Sequence, residues 1–354
     1  MAKVVVGLSG GVDSAVCAYL LKYAGYEVIG VTLKTWLAAD GKESRCCEID
    51  DAGRVAGKMG IPYYAVNCVA DFREKVTKPF VEDYIRGLTP NPCIECNRYI
   101  KWDKMLEVAD NLGAEYIATG HYATIAQLPN GRYSAQTARH AEKDQTYMLY
   151  KLTQEHLKRT LMPLGALSKA EVRAIAAQAG LGVEQKPDSQ EICFVPEGHY
   201  ADYIEENAET EIPGEGLFVD ESGKVLGKHK GIIHYTVGQR KGLGLALGYP
   251  AYVKKVCPAT NEVVIAEDAA LYGRELDCRD VNYMGISAPE PGSRIRCRAK
   301  IRYHHTPQPA VVEVLAGDRV HISFDAPVRA VTPGQSAVFY DEDGFVIGGG
   351  IILG

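Results

Sequence analysis

The chain of 354 residues has no apolar run of about eighteen residues, so no stretch of it predicts a membrane-spanning helix. It shows no signal-peptide pattern at its start: Lys3 leads only into a short strand-like run, and a cytoplasmic location is expected. The Gly-Lys-Ser/Thr ending of a Walker loop is missing, and so is G-x-G-x-x-G; Gly242-Leu243-Gly244 does not supply it, because the spacing to Gly248 is wrong. A zinc ribbon needs a second Cys-x-x-Cys pair beside Cys93–Cys96, and none exists. Positive charge is in deficit, with 39 Lys and Arg against 45 Asp and Glu and a net charge of −6 at pH 7. That excludes a uniformly basic nucleic-acid binder and leaves room for a local cationic surface. No internal repeat or long low-complexity segment occurs.

What remains is an ordinary globular composition, 46% hydrophobic and 24% charged, in a chain long enough for two or three domains. Ten cysteines in a chain of this length point to reactive or metal-binding thiols rather than a secreted disulfide scaffold. Cys17, Cys68, Cys257, Cys278 and Cys297 stand in apolar or strand-like surroundings and read as small buried hydrophobes, whereas Cys46 and Cys47 stay undecided.

The N-terminal segment carries the most chemistry. An apolar run from Lys3 to Leu8 enters Ser9-Gly10-Gly11-Val12-Asp13-Ser14, and an amphipathic pattern, Ala15 to Ala24, then stops at Gly25. A strand, a Gly-Gly turn and a helix N-terminus make an anion cradle, with backbone N–H groups and the helix dipole both favouring negative charge. Ser-Gly-Gly-x-Asp-Ser resembles the pyrophosphate-binding loop of enzymes that split ATP into AMP and pyrophosphate.

Strand-like runs then alternate with helical ones: Val28–Leu33, Ile61–Val66 and Tyr116–Thr119 against Asp50–Met59 and Lys104–Leu112, the helices closed by Gly60 and Gly113. Ser168 and Glu171 form a capping box for a helix that stops at Gly180. This alternation predicts an α/β fold, a doubly wound parallel sheet with its ligand at the carboxyl ends of the strands. After about Glu211, short Val-, Ile- and Tyr-rich runs punctuated by Gly, Pro and Asp predict an all-β half of two small domains. The expected division is a catalytic domain at 1–211, a central β-rich domain at 212–276 and a C-terminal β-barrel at 277–354.

Two further stretches suggest thiol chemistry. Thr89 to Asn97 (TPNPCIECN) places Cys93 and Cys96 in a proline-stiffened loop, with the helical pattern beginning a few residues past Cys96. A thiol near a helix N-terminus in polar surroundings is lowered in pKa and becomes a nucleophile. Lys186 to Phe194 (KPDSQEICF) holds Cys193 in a second loop. A redox dithiol, a [4Fe–4S] cluster held by three cysteines with one open iron, and simple buried hydrophobes are the alternatives.

The ATP-type loop, Asn91–Asn97 and Cys193 together resemble the bacterial tRNA-specific 2-thiouridylases, tRNA-uridine 2-sulfurtransferases of the pyrophosphatase-loop superfamily. The likeness continues through Thr119-Gly120-His121-Tyr122, Lys143-Asp144-Gln145-Thr146-Tyr147, Gly231–Leu245, Arg302-Tyr303 and Pro333-Gly334-Gln335, and so covers essentially the whole chain. It implies an adenine-nucleotide α-hydrolase-like domain, a small central domain and a C-terminal β-barrel. It also implies ATP-dependent replacement of O2 of the tRNA wobble uridine (position 34) by sulfur, through an adenylated oxygen and a cysteine persulfide, yielding AMP and pyrophosphate. Gly7, Leu8, Ser9, Gly10, Gly11, Val12, Asp13, Ser14, Leu33 and Gly120 would bind ATP, with Asp13 helping to place magnesium. Cys193 would carry the persulfide, and Cys96 would release its sulfur by closing a disulfide with Cys193. His121, Lys143, Asp144, Gln145, Arg302, Tyr303 and Gln335 would contact the anticodon arm of tRNA. The implied sulfur donor is a persulfide carrier such as a cysteine desulfurase or sulfur-relay protein. One position departs: the best-known branch has Asp where this chain has Cys93, while other members carry Cys. With Cys there, Cys93, Cys96 and Cys193 become candidate ligands of an iron–sulfur cluster. A different AMP-forming ligase or amidotransferase of the same loop class is the competing enzymatic reading, and an RNA-binding or cluster-assembly protein the non-enzymatic one.

One segment points to RNA without the resemblance. Arg294, Arg296, Arg298, Lys300 and Arg302 alternate with Ile295, Cys297, Ala299, Ile301 and Tyr303. Period two puts the cations on one face of a strand, where RNA phosphate would relieve their repulsion and His304 and His305 would extend the patch. The competing reading is a solvated face neutralised by acidic neighbours on adjacent strands.

Overall fold

The computed structural model describes residues 1–36, 48–188, 192–195 and 199–354; Cys46, Cys47 and Ser189–Glu191 lie outside the described residues. The first strands are β1 (Lys3–Gly7), β2 (Glu27–Lys34), β3 (Tyr63–Asn67) and β4 (Tyr116–Ala118). They form a parallel sheet in the order β3-β2-β1-β4, closed at its edge by Thr160–Leu161. Alternate side chains of β1 feed opposite layers. Val5 joins Ile29, Val31, Phe80 and Trp102 in one core, while Val4 and Val6 join Val16, Val55 and Val172 in the other. Helices α1 (Val12–Tyr23) and α2 (Ile49–Met59) and the helix Lys169–Gln178 cover the second face. Gly60, at φ +60°, ends α2 in the left-handed conformation that glycine tolerates. The chain runs outward from β1 through β2 to β3 and then returns to β1's other side as β4. That places a topological switch point between β1 and β4, where such sheets bind ligands.

The central unit is a small sheet in the order 252–257, 262–266, 216–219, 225–229 around Phe218, Tyr235 and Val263. The C-terminal unit is a closed antiparallel barrel built from the strands Tyr272–Tyr283, Arg294–Lys300, Gln308–Leu315, Arg319–Arg329, Ser336–Tyr340 and Val346–Ile352. Its first strand begins at Tyr272, so Asp277 lies within a strand, upstream of which a short turn, Asp268–Leu271, separates barrel from central sheet. The boundary expected at Asp277 therefore moves upstream to that turn. Among the described residues no helix is long and apolar enough to cross a membrane.

The barrel shares a core with the α/β domain. Tyr147 and Tyr150, both fully buried, pack with Met284, Val338, Tyr340 and Val346. The Tyr147 hydroxyl donates to the Ser336 carbonyl at 2.9 Å and receives the Ser336 N–H at 3.3 Å. Gly349 is required there, since a Cβ would lie 2.6 Å from the Tyr150 ring. Removing the Tyr147 hydroxyl strands both backbone groups of Ser336 in a dry seam. The substitution Y147F is expected to lower stability by about 1–3 kcal/mol, read as a reduced urea midpoint.

Candidate active site

The loop between β1 and α1 is built as an anion cradle. Gly10 stands at φ +80°, and a Cβ there would meet the Glu48 carbonyl at 3.0 Å. The Ser14 hydroxyl accepts the Ser9 N–H at 3.1 Å and donates to the Gly11 carbonyl at 3.0 Å, closing the turn on itself. Gly11 caps α1 with extended backbone, leaving the first N–H groups of the helix to face a ligand. Leu8 and Val12 are buried beneath the loop, Gly7 packs on the Met105 sulfur, and Leu33 is buried at the carboxyl end of β2. Gly120 follows β4 and abuts the loop from the other side of the switch point. A Cβ on it would lie 2.7 Å from the backbone of Asp13 and Ser14, so only glycine allows this approach.

Asp13 is the electrostatic centre of the site. Lys169 Nζ sits 2.8 and 2.7 Å from its two oxygens, and the Tyr122 hydroxyl donates to Oδ1 at 2.7 Å. Lys169 also reaches Asp188 at 2.8 Å, and Asp188 takes Lys143 at 2.8 Å and Arg173 at 3.1 Å. Burial works to raise the Asp188 carboxyl, but hydrogen bonds from Lys143 and Lys169 outweigh it and hold it at about 2. Lys169, Asp188, Tyr122 and Arg173 were not singled out by sequence reasoning as site residues. The capping box at Ser168 and the Lys186-Pro187-Asp188 loop were visible, but not that they converge on Asp13. One carboxylate beside a phosphate loop suits magnesium, which takes one or two carboxylates and fills its shell with phosphates and water. Asp13 is the residue that would hold it.

The cysteine segment differs from expectation. The helix begins at Pro92, before both cysteines rather than after Cys96, and runs through a π-helical stretch, Cys96–Trp102, to Asn111. Asn91 caps it by accepting the Cys93 N–H at 3.2 Å, and Pro92 fills the first position, where a missing N–H does no harm. The Asn-Pro pair was the available signal. Cys96 and Cys193 are partly buried and pack against the same core cluster, which includes Phe72, Phe80 and Phe194. Burial, and after it the charges of Asp144 and Cys93, raise the Tyr303 hydroxyl above its ordinary range. Among the described residues no three His, Cys, Asp or Glu side chains gather as a metal-ligand set. Cys93, Cys96 and Cys193 are thus not gathered as such a set among the described residues. Burial of Cys17, Cys278 and Cys297 raises their thiols, the last to about 12, as inert core cysteines require.

The residues expected to meet tRNA divide by surroundings. His121 packs on Trp102 and bonds Thr119 Oγ1 at 2.8 Å; burial and the nearby Lys101 hold its imidazole neutral. Gln145 accepts the Tyr122 N–H at 2.9 Å. The Asp144 carboxylate is buried and takes the Ala138 N–H and the Thr146 hydroxyl, fixing its own loop. Gln335 donates to the Thr89 carbonyl at 2.8 Å, tying the barrel to the cysteine segment. Arg302 bonds the carbonyls of Val237 and Ala330 at 3.0 and 2.7 Å, joining central domain to barrel. Tyr303 stands between Tyr147 and His304.

The alternation of outward-facing cations with Cys297 and Ala299 inside the barrel holds from Arg294 to Ala299, but Lys300 is buried, its ammonium over the rings of Tyr147 and Tyr303. RNA phosphate is not needed to neutralise its first members. Arg294 pairs with Glu313, its cross-strand partner, at 2.7 Å, Arg296 pairs with Asp325, and Arg298 donates to the Pro307 carbonyl. Glu313 on the adjacent strand and Asp325 one strand further round the barrel supply what the strand's own sequence lacks.

Comparison with known proteins decides the family. Residues 2–197 match the tRNA methyl transferase HUP domain, 201–267 the tRNA methyl transferase PRC-barrel domain, and 273–352 the aminomethyltransferase beta-barrel domain. The chain is 51% identical over 361 residues to the tRNA-specific 2-thiouridylase MnmA of Lachnoclostridium phytofermentans, covering 100% of both. It is 50% identical to the same-named protein of Acetivibrio thermocellus, covering 99% of each. The chain belongs to the tRNA-specific 2-thiouridylases. The likeness to a solved U34-tRNA thiolase of Methanococcus maripaludis carrying a [4Fe-4S] cluster is slight, at 22% identity and a TM-score of 0.36 over 54% of this chain and 60% of that one. "Methyl transferase" is the wording of two domain descriptions; the full-length relatives are named for thiolation.

For this 2-thiouridylase the ion cluster has a pH signature. Asp188 is depressed in the folded state, so its contribution to stability is complete above its ordinary 3.8 and is lost as pH falls towards about 2. The variant D188N is expected to flatten the acid limb of the stability profile in that window, measured by urea midpoints across pH.

Proposed function

We propose that this 2-thiouridylase binds ATP in the loop Gly7–Ser14, with Leu33 and Gly120 completing the pocket, and adenylates the wobble uridine of tRNA there. The observation that carries the reading is the loop walled by Gly120, on a domain whose core also seats Cys96 and Cys193. O2 of the uridine attacks the α-phosphorus, and the bond to the β-phosphate breaks, its electron pair leaving with pyrophosphate. A C2 oxygen is a poor leaving group; once adenylated it departs as AMP. Asp13 would hold magnesium, which when bound would neutralise charge on the phosphates.

Cys193 carries the persulfide, loaded by a donor of the desulfurase or sulfur-relay type. Its terminal sulfur attacks C2 and expels AMP. The Cys96 thiolate then attacks the Cys193 sulfur, the S–S bond breaks towards the new thiocarbonyl, and a Cys96–Cys193 disulfide remains for reduction. The wobble base must leave its stack to reach this chemistry. Tyr303 offers a ring for it, and neutral His121 offers a hydrogen bond rather than a charge. Lys143, Asp144, Gln145, Arg302 and Gln335 shape or contact the surface for the anticodon arm, Asp144 and Arg302 by bracing backbone. A cytoplasmic location is part of this reading, because the substrate is tRNA.

Each of C96S and C193S is expected to reduce 2-thiouridine formation at least about a hundred-fold while tRNA and ATP binding stay within about twofold. Nucleoside analysis of tRNA from single-turnover reactions, with calorimetry for binding, measures both. In the persulfide route C93A keeps its activity; loss in C93A equal to that in C96S would instead favour an iron–sulfur route.

A further inference from the structure

Lys169 enters the site from the first turn of the helix Lys169–Gln178, far in sequence from the phosphate loop. Its side chain is only 15% exposed. The ammonium lies almost equally far from both oxygens of Asp13, at 2.8 and 2.7 Å, which is where a chelated cation would sit. Asp188 holds the same ammonium from the other side at 2.8 Å. Around these two carboxylates stand three cations, Lys143, Lys169 and Arg173, so the cluster beside the loop carries a surplus of positive charge. Arg173 is tied to the backbone carbonyls of Glu184 and Lys186, and Lys143 sits at the far side of Asp188. Of these three cations, Lys169 is the one that bonds a residue of the loop itself, Asp13.

We propose that Lys169 forms the subsite for the β- and γ-phosphates of ATP. This rests on the reading of Ser9–Ser14 as the ATP loop. A polyphosphate seated on the N-terminus of α1 meets the Asp13 carboxylate, and like charges at that distance oppose binding unless a cation stands between them. When Asp13 turns to a divalent cation, the ammonium is released from it while Asp188 keeps it at the loop. There it pairs with phosphate oxygens as a mobile point charge. Asp188 is then a positioning residue, holding Lys169 ready in the nucleotide-free state.

Calorimetric titration of the full-length protein with α,β-methylene-ATP and with AMP, both with magnesium, tests the assignment in wild type, K169M, K169R and D188N. Loss of one charge-assisted phosphate contact is expected to weaken the triphosphate analogue roughly ten- to a hundred-fold in K169M. AMP affinity is expected to stay within about twofold, since AMP has no β- or γ-phosphate. K169R, which keeps the charge, is expected to retain most of the triphosphate affinity. Equal weakening of both ligands in K169M, or of neither, overturns the subsite and makes Lys169 a structural tie between helices. If K169M does not fold, the ratio of triphosphate to AMP affinity in D188N decides: a several-fold fall is expected, because Asp188 positions Lys169, and an unchanged ratio overturns the proposal. A wild-type protein that binds neither nucleotide refutes the ATP loop itself, and the subsite with it.

Discussion

A carboxylate at the edge of an anion-binding loop must be neutralised, and the structure around Asp13 is organised by that constraint. The loop's N–H groups and the dipole of α1 favour negative ligands, yet Asp13 brings a negative charge of its own into the first helical turn. Lys169 and Tyr122 absorb it from two other segments, and Asp188 links Lys169 onward to Lys143 and Arg173. These contacts bind the helix Lys169–Gln178 and the segment after β4 to α1. The segments that meet at the switch point are therefore joined by ion pairs and hydrogen bonds, whose charges a phosphate ligand can rearrange.

The second constraint is the dry seam between the α/β domain and the barrel. Tyr147 and Tyr150 follow directly on Lys143–Gln145, and their burial against Ser336 and Gly349 fixes where that segment lies. Gln335 and Arg302 extend the seam to Thr89 and the central domain. Residues expected to touch tRNA thus also brace the domains that would receive it. Asp144 and Arg302 do this with side chains already committed to internal partners, whereas among the described residues Lys143 pairs with Asp188 alone. Substitutions at Arg302 accordingly affect architecture as well as binding.

Much of the fold was legible because its signals are local. β1, its glycine turn, Gly60, Gly113, and the capping box of Ser168 with Glu171 are set by neighbours within a few residues. The helix start at Pro92 is equally local, in Asn91-Pro92, but in sequence a proline marks a loop as readily as a first helical turn. What could not be read was pairing across distance. Lys169 lies 156 residues from Asp13, and Glu313 and Asp325 reach Arg294 and Arg296 only once the barrel closes. Alternating charge specifies a strand face; it does not say which strand lies beside it. The phosphate loop was visible as a motif, while its third wall, Gly120, makes physical sense only through the 2.7 Å approach to Asp13 and Ser14.

The central claim is that uridine O2 is adenylated in this loop before sulfur replaces it. Anticodon-arm RNA carrying oxygen-18 at O2 of the wobble uridine tests it in a single turnover with ATP and a persulfide donor. Mass spectrometry should find one labelled oxygen in the released AMP for each 2-thiouridine formed, and none in pyrophosphate. Thiolation with the label in water or pyrophosphate, and unlabelled AMP, would contradict the account.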